Sequence, residues 1–127
     1  MSRRVSENLR AEVERRAEGF CEYCRIAIED TYFGGEIDHI ISLKHRGQSE
    51  SENLALACQP CNRNKGSDLG SISETSKILV RFFNPPTDDW IEPLTEIGEV
   101  TAIIFGFNEP ERIAERKGLI EIGRYSI

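Results

Sequence analysis

Two Cys-x-x-Cys pairs, Cys21/Cys24 and Cys58/Cys61, account for all 4 cysteines of the chain and are separated by 33 residues. Two thiolates two residues apart form one knuckle of a tetrahedral site, and two such knuckles close a loop on one metal ion. Zinc held by Cys21, Cys24, Cys58 and Cys61 is the reading this spacing favours. A site closed by four thiolates has no position left for water, so its expected role is structural. Buried free cysteines fit the double pattern poorly, and an iron–sulfur centre uses the same four-thiolate geometry. Two disulfides would require an oxidising compartment. After Met1-Ser2-Arg3-Arg4 the chain runs into acidic residues with no apolar stretch. The expectation is therefore a cytoplasmic protein with reduced thiols and no membrane association.

A chain of 127 residues has room for one cored domain and not for two. Its net charge is −6, which at face value argues against a nucleic-acid ligand. The distribution matters more than the total. Residues 1–66 carry 10 Lys/Arg against 11 Asp/Glu, whereas residues 67–127 carry 6 against 11. The bases of the near-neutral half are clustered, as Arg15/Arg16, Lys44/His45/Arg46 and Arg63/Lys65. Phosphate contact depends on such local patches and on bound cations, not on the average charge.

The hydrophobic pattern predicts a helix over residues 3–18, with Val5, Leu9, Val13, Ala17 and Phe20 on one face, arginines in solvent and Gly19 as the stop. A strand is expected at about 36–41, and a polar loop from Ser42 to Glu52 leads to Asn53 and a short strand, Leu54 to Ala57. Pro60 suits a first helical position, so the second cysteine pair should open a helix that ends at Gly66. Strand, loop, strand and helix make a ββα unit within an α+β fold. Beyond it, residues 78–83 alternate as a strand ended by Pro85-Pro86, and Trp90 reads as a core anchor. Val100 to Phe107 fits either a strand or a buried helix, and Pro110 to Gly118 reads as a surface helix.

Asp38-His39 lies on the first predicted strand, between the two cysteine knuckles. Adjacent strand residues point to opposite faces, so the two share one site only if the strand end is twisted or bulged. Asn62 opens the helix expected to face them, and Asn53 stands at the base of the second strand.

The strings Glu36-Ile37-Asp38-His39-Ile40-Ile41 and Glu52-Asn53-Leu54-Ala55-Leu56-Ala57-Cys58-Gln59-Pro60-Cys61-Asn62-Arg63-Asn64-Lys65-Gly66 resemble the HNH endonuclease family. The resemblance covers roughly residues 20–66, and Phe83-Asn84-Pro85 with Asp89-Trp90 extend it toward a subgroup of small bacterial proteins. It implies a zinc-stabilised ββα-metal core (the His-Me finger) with flanking helices. It also implies one HNH nuclease domain over residues 1–127, with residues 67–127 packed on or beside the core. In that family His39 would be the general base, Asp38 the first metal ligand and Asn62 the second. Asn53 would prop the loop and orient the histidine, which makes this chain an H-N-N variant. Oxygen ligands and retained waters suit Mg²⁺ or Mn²⁺ as the catalytic cation. The implied activity is hydrolysis of DNA phosphodiester bonds to 3′-hydroxyl and 5′-phosphate ends.

Arg63 and Lys65 on the helix, with Lys44, His45 and Arg46 on the loop, are the candidate phosphate contacts. The acidic C-terminal half is a candidate surface for a protein partner or a second copy. The alternative to the enzyme is an inert zinc module of the same fold that binds nucleic acid or protein. An electron-transfer protein with an iron site ranks third.

Overall fold

The computed structural model describes residues 5–89 and 95–123. Trp90, expected as a core anchor, lies outside the described residues. The first helix, α1 (Glu7–Ala17), begins where the Ser6 hydroxyl accepts the Leu9 N–H at 3.1 Å. Glu7 in its first turn and Arg15/Arg16 in its last complement the helix dipole. The chain turns left-handed at Glu18, one residue before the expected glycine. Val13 and Ala17 pack on Leu54 and Leu56. The arginines of α1 are exposed, as expected, and Arg16 is also tied to the rest of the fold. Its guanidinium donates to both carboxylate oxygens of Glu22, and also to the carbonyls of Ser51 and Leu54.

The first cysteine pair sits on a tight hairpin closed by an isolated bridge between Phe20 and Ala27, with Cys21 N–H donating to Ile26 O at 2.8 Å. Strand β1 (Gly35–His39) then pairs antiparallel with β2 (Leu54–Cys58), placing Asp38 opposite Ala55 and His39 opposite Leu54. The polar connection between them is closed by Asn53. Its side-chain oxygen accepts the Ile41 N–H at 2.8 Å, and its amide nitrogen donates to the carbonyls of Ile41 and Gln48, each at 2.9 Å. Only glycine fits at position 47, since a Cβ there would stand 1.7 Å from the Ile41 carbonyl oxygen. Helix α2 (Gln59–Lys65) follows directly, with Pro60 in its first turn.

The remainder covers this ββα unit. Strand β4 (Leu79–Arg81) is shorter than the alternation predicts and pairs with β3 (Gly70–Ile72), which carries no comparable pattern. The ambiguous segment is helical: α3 spans Glu96–Phe105, started by the Thr95 hydroxyl accepting the Gly98 N–H at 3.0 Å and stopped by left-handed Gly106. Phe105 is fully buried, with ring centroids 4.8 Å from Tyr23 and 5.1 Å from Phe82. Thr101 is equally buried and accepts the Phe83 N–H at 2.8 Å, tying the 82–84 segment to α3. One apolar cluster therefore joins the cysteines and Ala55/Ala57 of the ββα unit to Phe82, Phe83, Val100 and Phe105. The last helix, α4 (Pro110–Glu121), is charged as expected, yet Arg112 faces inward and is only 9 % exposed. Among the described residues no helix is long and apolar enough to cross a membrane.

Candidate metal centre and nuclease site

Cys21, Cys24, Cys58 and Cys61 are all buried, and their sulfur atoms lie within 4.8 Å of one another. The Cys24 and Cys58 sulfurs are 3.7 Å apart. A zinc–sulfur bond of about 2.3 Å sets a tetrahedral edge of about 3.8 Å, so this spacing fits zinc; a disulfide requires about 2.05 Å. The Cys24 N–H donates to the Cys21 sulfur at 3.4 Å, as a knuckle requires. Burial raises the Cys21 pKa, but hydrogen bonds from Cys24, Cys58 and Cys61 outweigh it and bring the thiol well below its ordinary value. Cys24 is pushed well up, first by its hydrogen bond to Cys21, and Cys61 is pushed up by burial and then by Cys21. Four such thiols resist ionising together without a cation among them, which is the chemistry of a thiolate metal site.

Arg112 stands over this site. Its Nη2 donates to the Cys61 sulfur at 3.2 Å and reaches the Cys58 sulfur at 3.7 Å, while Nη1 donates to the Phe105 carbonyl. Burial works to lower its pKa, but the thiolates, Cys61 first, overcome this and raise it above the ordinary arginine value. Four thiolates around a divalent zinc carry a net double negative charge, and a buried guanidinium offsets part of it.

The second group of residues lies between β1 and α2. Asp38 is 5 % exposed and Lys65 is 2 % exposed. The Tyr23 hydroxyl donates to Asp38 Oδ2 at 2.8 Å, and Lys65 Nζ lies 3.4 Å from Oδ1 and 3.3 Å from Oδ2. The same ammonium donates to the carbonyls of His39 and Gly66 at 3.1 and 3.3 Å. Burial raises the Asp38 pKa, opposed by Lys65 and Tyr23. Lys65, expected to leave the helix toward a phosphate, is therefore an interior residue. Its aliphatic stem is buried with it, and Asp38 is the anion that makes this tolerable.

His39 is on the other face. The β1–β2 ladder runs one-to-one through Asp38 and His39 with no bulge, so their side chains separate. Asp38 turns to Tyr23 and α2, and His39 turns to the loop, where its Nε2 lies 2.9 Å from Ser49 Oγ. Burial lowers the His39 pKa, Asp38 works against this, and Lys65 adds to it. A lowered pKa keeps the imidazole neutral at neutral pH, as a proton acceptor must be. Asn62 donates through its side-chain amide to Glu36 Oε2 at 2.6 Å. Glu36 lies two residues before Asp38, on the same face of β1, so each predicted ligand already has a partner. Lys44, His45 and Arg46 are exposed on the loop that carries Ser49, and Arg63 is exposed on α2.

Tyr23, Glu36, Ser49 and Arg112 are contacts that sequence reasoning missed. Strand alternation could have put Glu36 beside Asp38; nothing local marks Tyr23 or Arg112, whose partners lie 15 and 51 residues away.

The arrangement defines a class by its fold: a ββα module whose two ends are drawn together by a cluster of four cysteines. The family model for HNH endonuclease matches residues 21–68. No curated protein and no solved structure matches the chain.

Proposed function

We propose that the protein is a zinc-clamped, metal-dependent endonuclease that hydrolyses DNA phosphodiester bonds. The observation that supports this best is the placement of His39 within the matched segment, its Nε2 2.9 Å from Ser49 Oγ, where burial lowers its pKa. In the tautomer whose Nε2–H donates to Ser49 Oγ, Nδ1 keeps the lone pair that takes a proton from the attacking water. Asn53 closes the loop that carries Ser49, and so orients the ring through its neighbour. Lys44, His45, Arg46 and Arg63 offer exposed donors to backbone phosphates.

Asp38 and Asn62, with Glu36 on the Asn62 amide, are the oxygen donors that would hold Mg²⁺ or Mn²⁺, and the end of β1 would have to twist for them and His39 to face one phosphate. Such a cation would polarise the scissile phosphate and stabilise the leaving oxygen. Lys65 opposes the burial that raises the Asp38 pKa and so favours its charged form. Zinc, in this reading, holds the two knuckles together and takes no part in the reaction.

The test is nicking of supercoiled plasmid with Mg²⁺ or Mn²⁺. His39→Ala should abolish it while zinc content and fold persist, and equal activity in the two proteins would sink the assignment. A second reading, an inert nucleic-acid-binding module of the same fold, is favoured by one observation. Both oxygens of Asp38 are already engaged, by Tyr23 and Lys65. DNA binding without cleavage under every divalent cation would select it.

A further inference from the structure

A cleft of about 260 Å³ opens beside the zinc clamp, bordered by Tyr32, Phe33, Pro60, Arg63, Glu115 and Arg116. Arg112, at the same cleft, has its charge engaged by the thiolates. Tyr32 is 92 % exposed and Phe33 68 % exposed, while Phe82, Phe83 and Phe105 are buried. The exposed pair meets edge to face with ring centroids 4.7 Å apart. The Thr31 hydroxyl fixes the turn that presents them, donating to Ile28 O at 2.6 Å and accepting the Gly34 N–H at 3.0 Å. Two neighbouring aromatic rings held out in water have no folding role to explain them.

The charge of the lining runs against that of the chain. In a protein of net charge −6, three arginines meet a single acidic side chain, Glu115, at this cleft. Arg63 is exposed and makes no ion pair among the described residues. Arg116 spends one amino group on the Phe107 carbonyl and keeps its other donors. Two of the three arginines come from α4, in the acidic half of the sequence. Flat apolar faces beside unpaired guanidinium groups match a nucleobase and its phosphate.

Resting on the nuclease reading for DNA as the ligand, we infer that this cleft is a subsite for an unpaired nucleotide of a DNA strand. The base stacks on Tyr32 or Phe33, and the adjoining phosphate lies against Arg63 and Arg116. Arg63 directly follows Asn62 on α2, so a strand anchored at the cleft is carried along the helix that bears the proposed site. The protein then selects single-stranded or branched DNA over continuous duplex.

Fluorescence anisotropy on the zinc-loaded full chain tests this, with a labelled oligothymidylate, an oligomer of equal length with abasic sugars, and a duplex. Wild type should bind the thymidylate about 5- to 150-fold more tightly than the abasic strand, the range that one base–aromatic stack produces. The double variant Tyr32→Ser/Phe33→Ser, altered only at exposed positions, should lose that preference and keep its duplex affinity. Arg63→Gln should weaken both single strands alike and reduce the salt slope by about one. A double variant that retains the preference, or a wild type that shows none, overturns the inference. Base preference without plasmid nicking would leave this subsite standing and remove the nuclease reading; nicking without base preference would do the reverse.

Discussion

Helix α2 has a buried cation at each end, and the two come from different places in the chain. At its N-terminal end Arg112, 51 residues beyond Cys61, reaches back to the cysteine sulfurs. At its C-terminal end Lys65, part of the helix itself, neutralises Asp38 on β1. The planar guanidinium spreads its charge over two sulfurs and a carbonyl, whereas the compact ammonium needs a carboxylate and two carbonyl oxygens close by. The consequence differs as well. A zinc ion held by the four thiolates would be their principal counter-charge, and Arg112 would offset part of what is left. Asp38 depends on Lys65 directly.

The largest way to break this comparison is to remove the metal. Zinc binding is worth about 10–16 kcal/mol in small zinc-dependent modules, so Cys58→Ser or a strong chelator should abolish the native circular dichroism and melting transition. A chelated protein that melts as before would show that the knuckles need no metal. Next comes Lys65→Met, which leaves a buried carboxylate without its cation and should cost about 3–5 kcal/mol in urea unfolding. Adding Asp38→Asn to that variant should recover most of the loss. No recovery would mean that Lys65 acts through its carbonyl contacts instead.

Arg112→Met should be milder for folding but should weaken zinc binding by about 10- to 100-fold in a chelator competition, a range typical of outer-shell partners. Lys65→Met should leave zinc affinity unchanged among the molecules that remain folded. Equal zinc losses in both variants would erase the distinction between the two ends. The smallest effect is in pH. Because burial lowers the His39 pKa, nuclease activity should stay level down to about 6.5 and fall with a one-proton slope below that point. The stability sign is the same: a depressed histidine pKa contributes fully at higher pH, and the contribution is lost as pH falls. A rate that declines from well above neutrality would point to a different proton acceptor.

Much of the ββα unit is legible in the residues. The cysteine spacing, the Pro60 start of α2 and the β-branched run around Asp38 each have a local physical meaning. The stretch from Val100 to Phe107 was ambiguous only because its apolar run is short. The Thr95 cap, the acidic first turn and Gly106 resolve it as a helix once they are read together. Strand β3 carries no such mark, since Gly70-Ser71-Ile72 becomes a strand by pairing with β4. Lys65 and Arg112 were both read as surface charges, the usual place for such residues. Whether a long cation turns inward depends on an anion brought near by the fold, and neither Asp38 nor the sulfurs are its neighbours in sequence.

The sequence by itself therefore determined the clamp and the segment it encloses, because thiolate spacing, capping and alternation are local properties. Only the tertiary structure decided how the clamp and the candidate site are wired. It put Arg112 over the thiolates, Lys65 under Asp38, and His39 and Asp38 on opposite faces of an unbulged strand. Those are encounters between distant residues, and their energies come from burial and charge pairing that exist only once the chain has closed on itself.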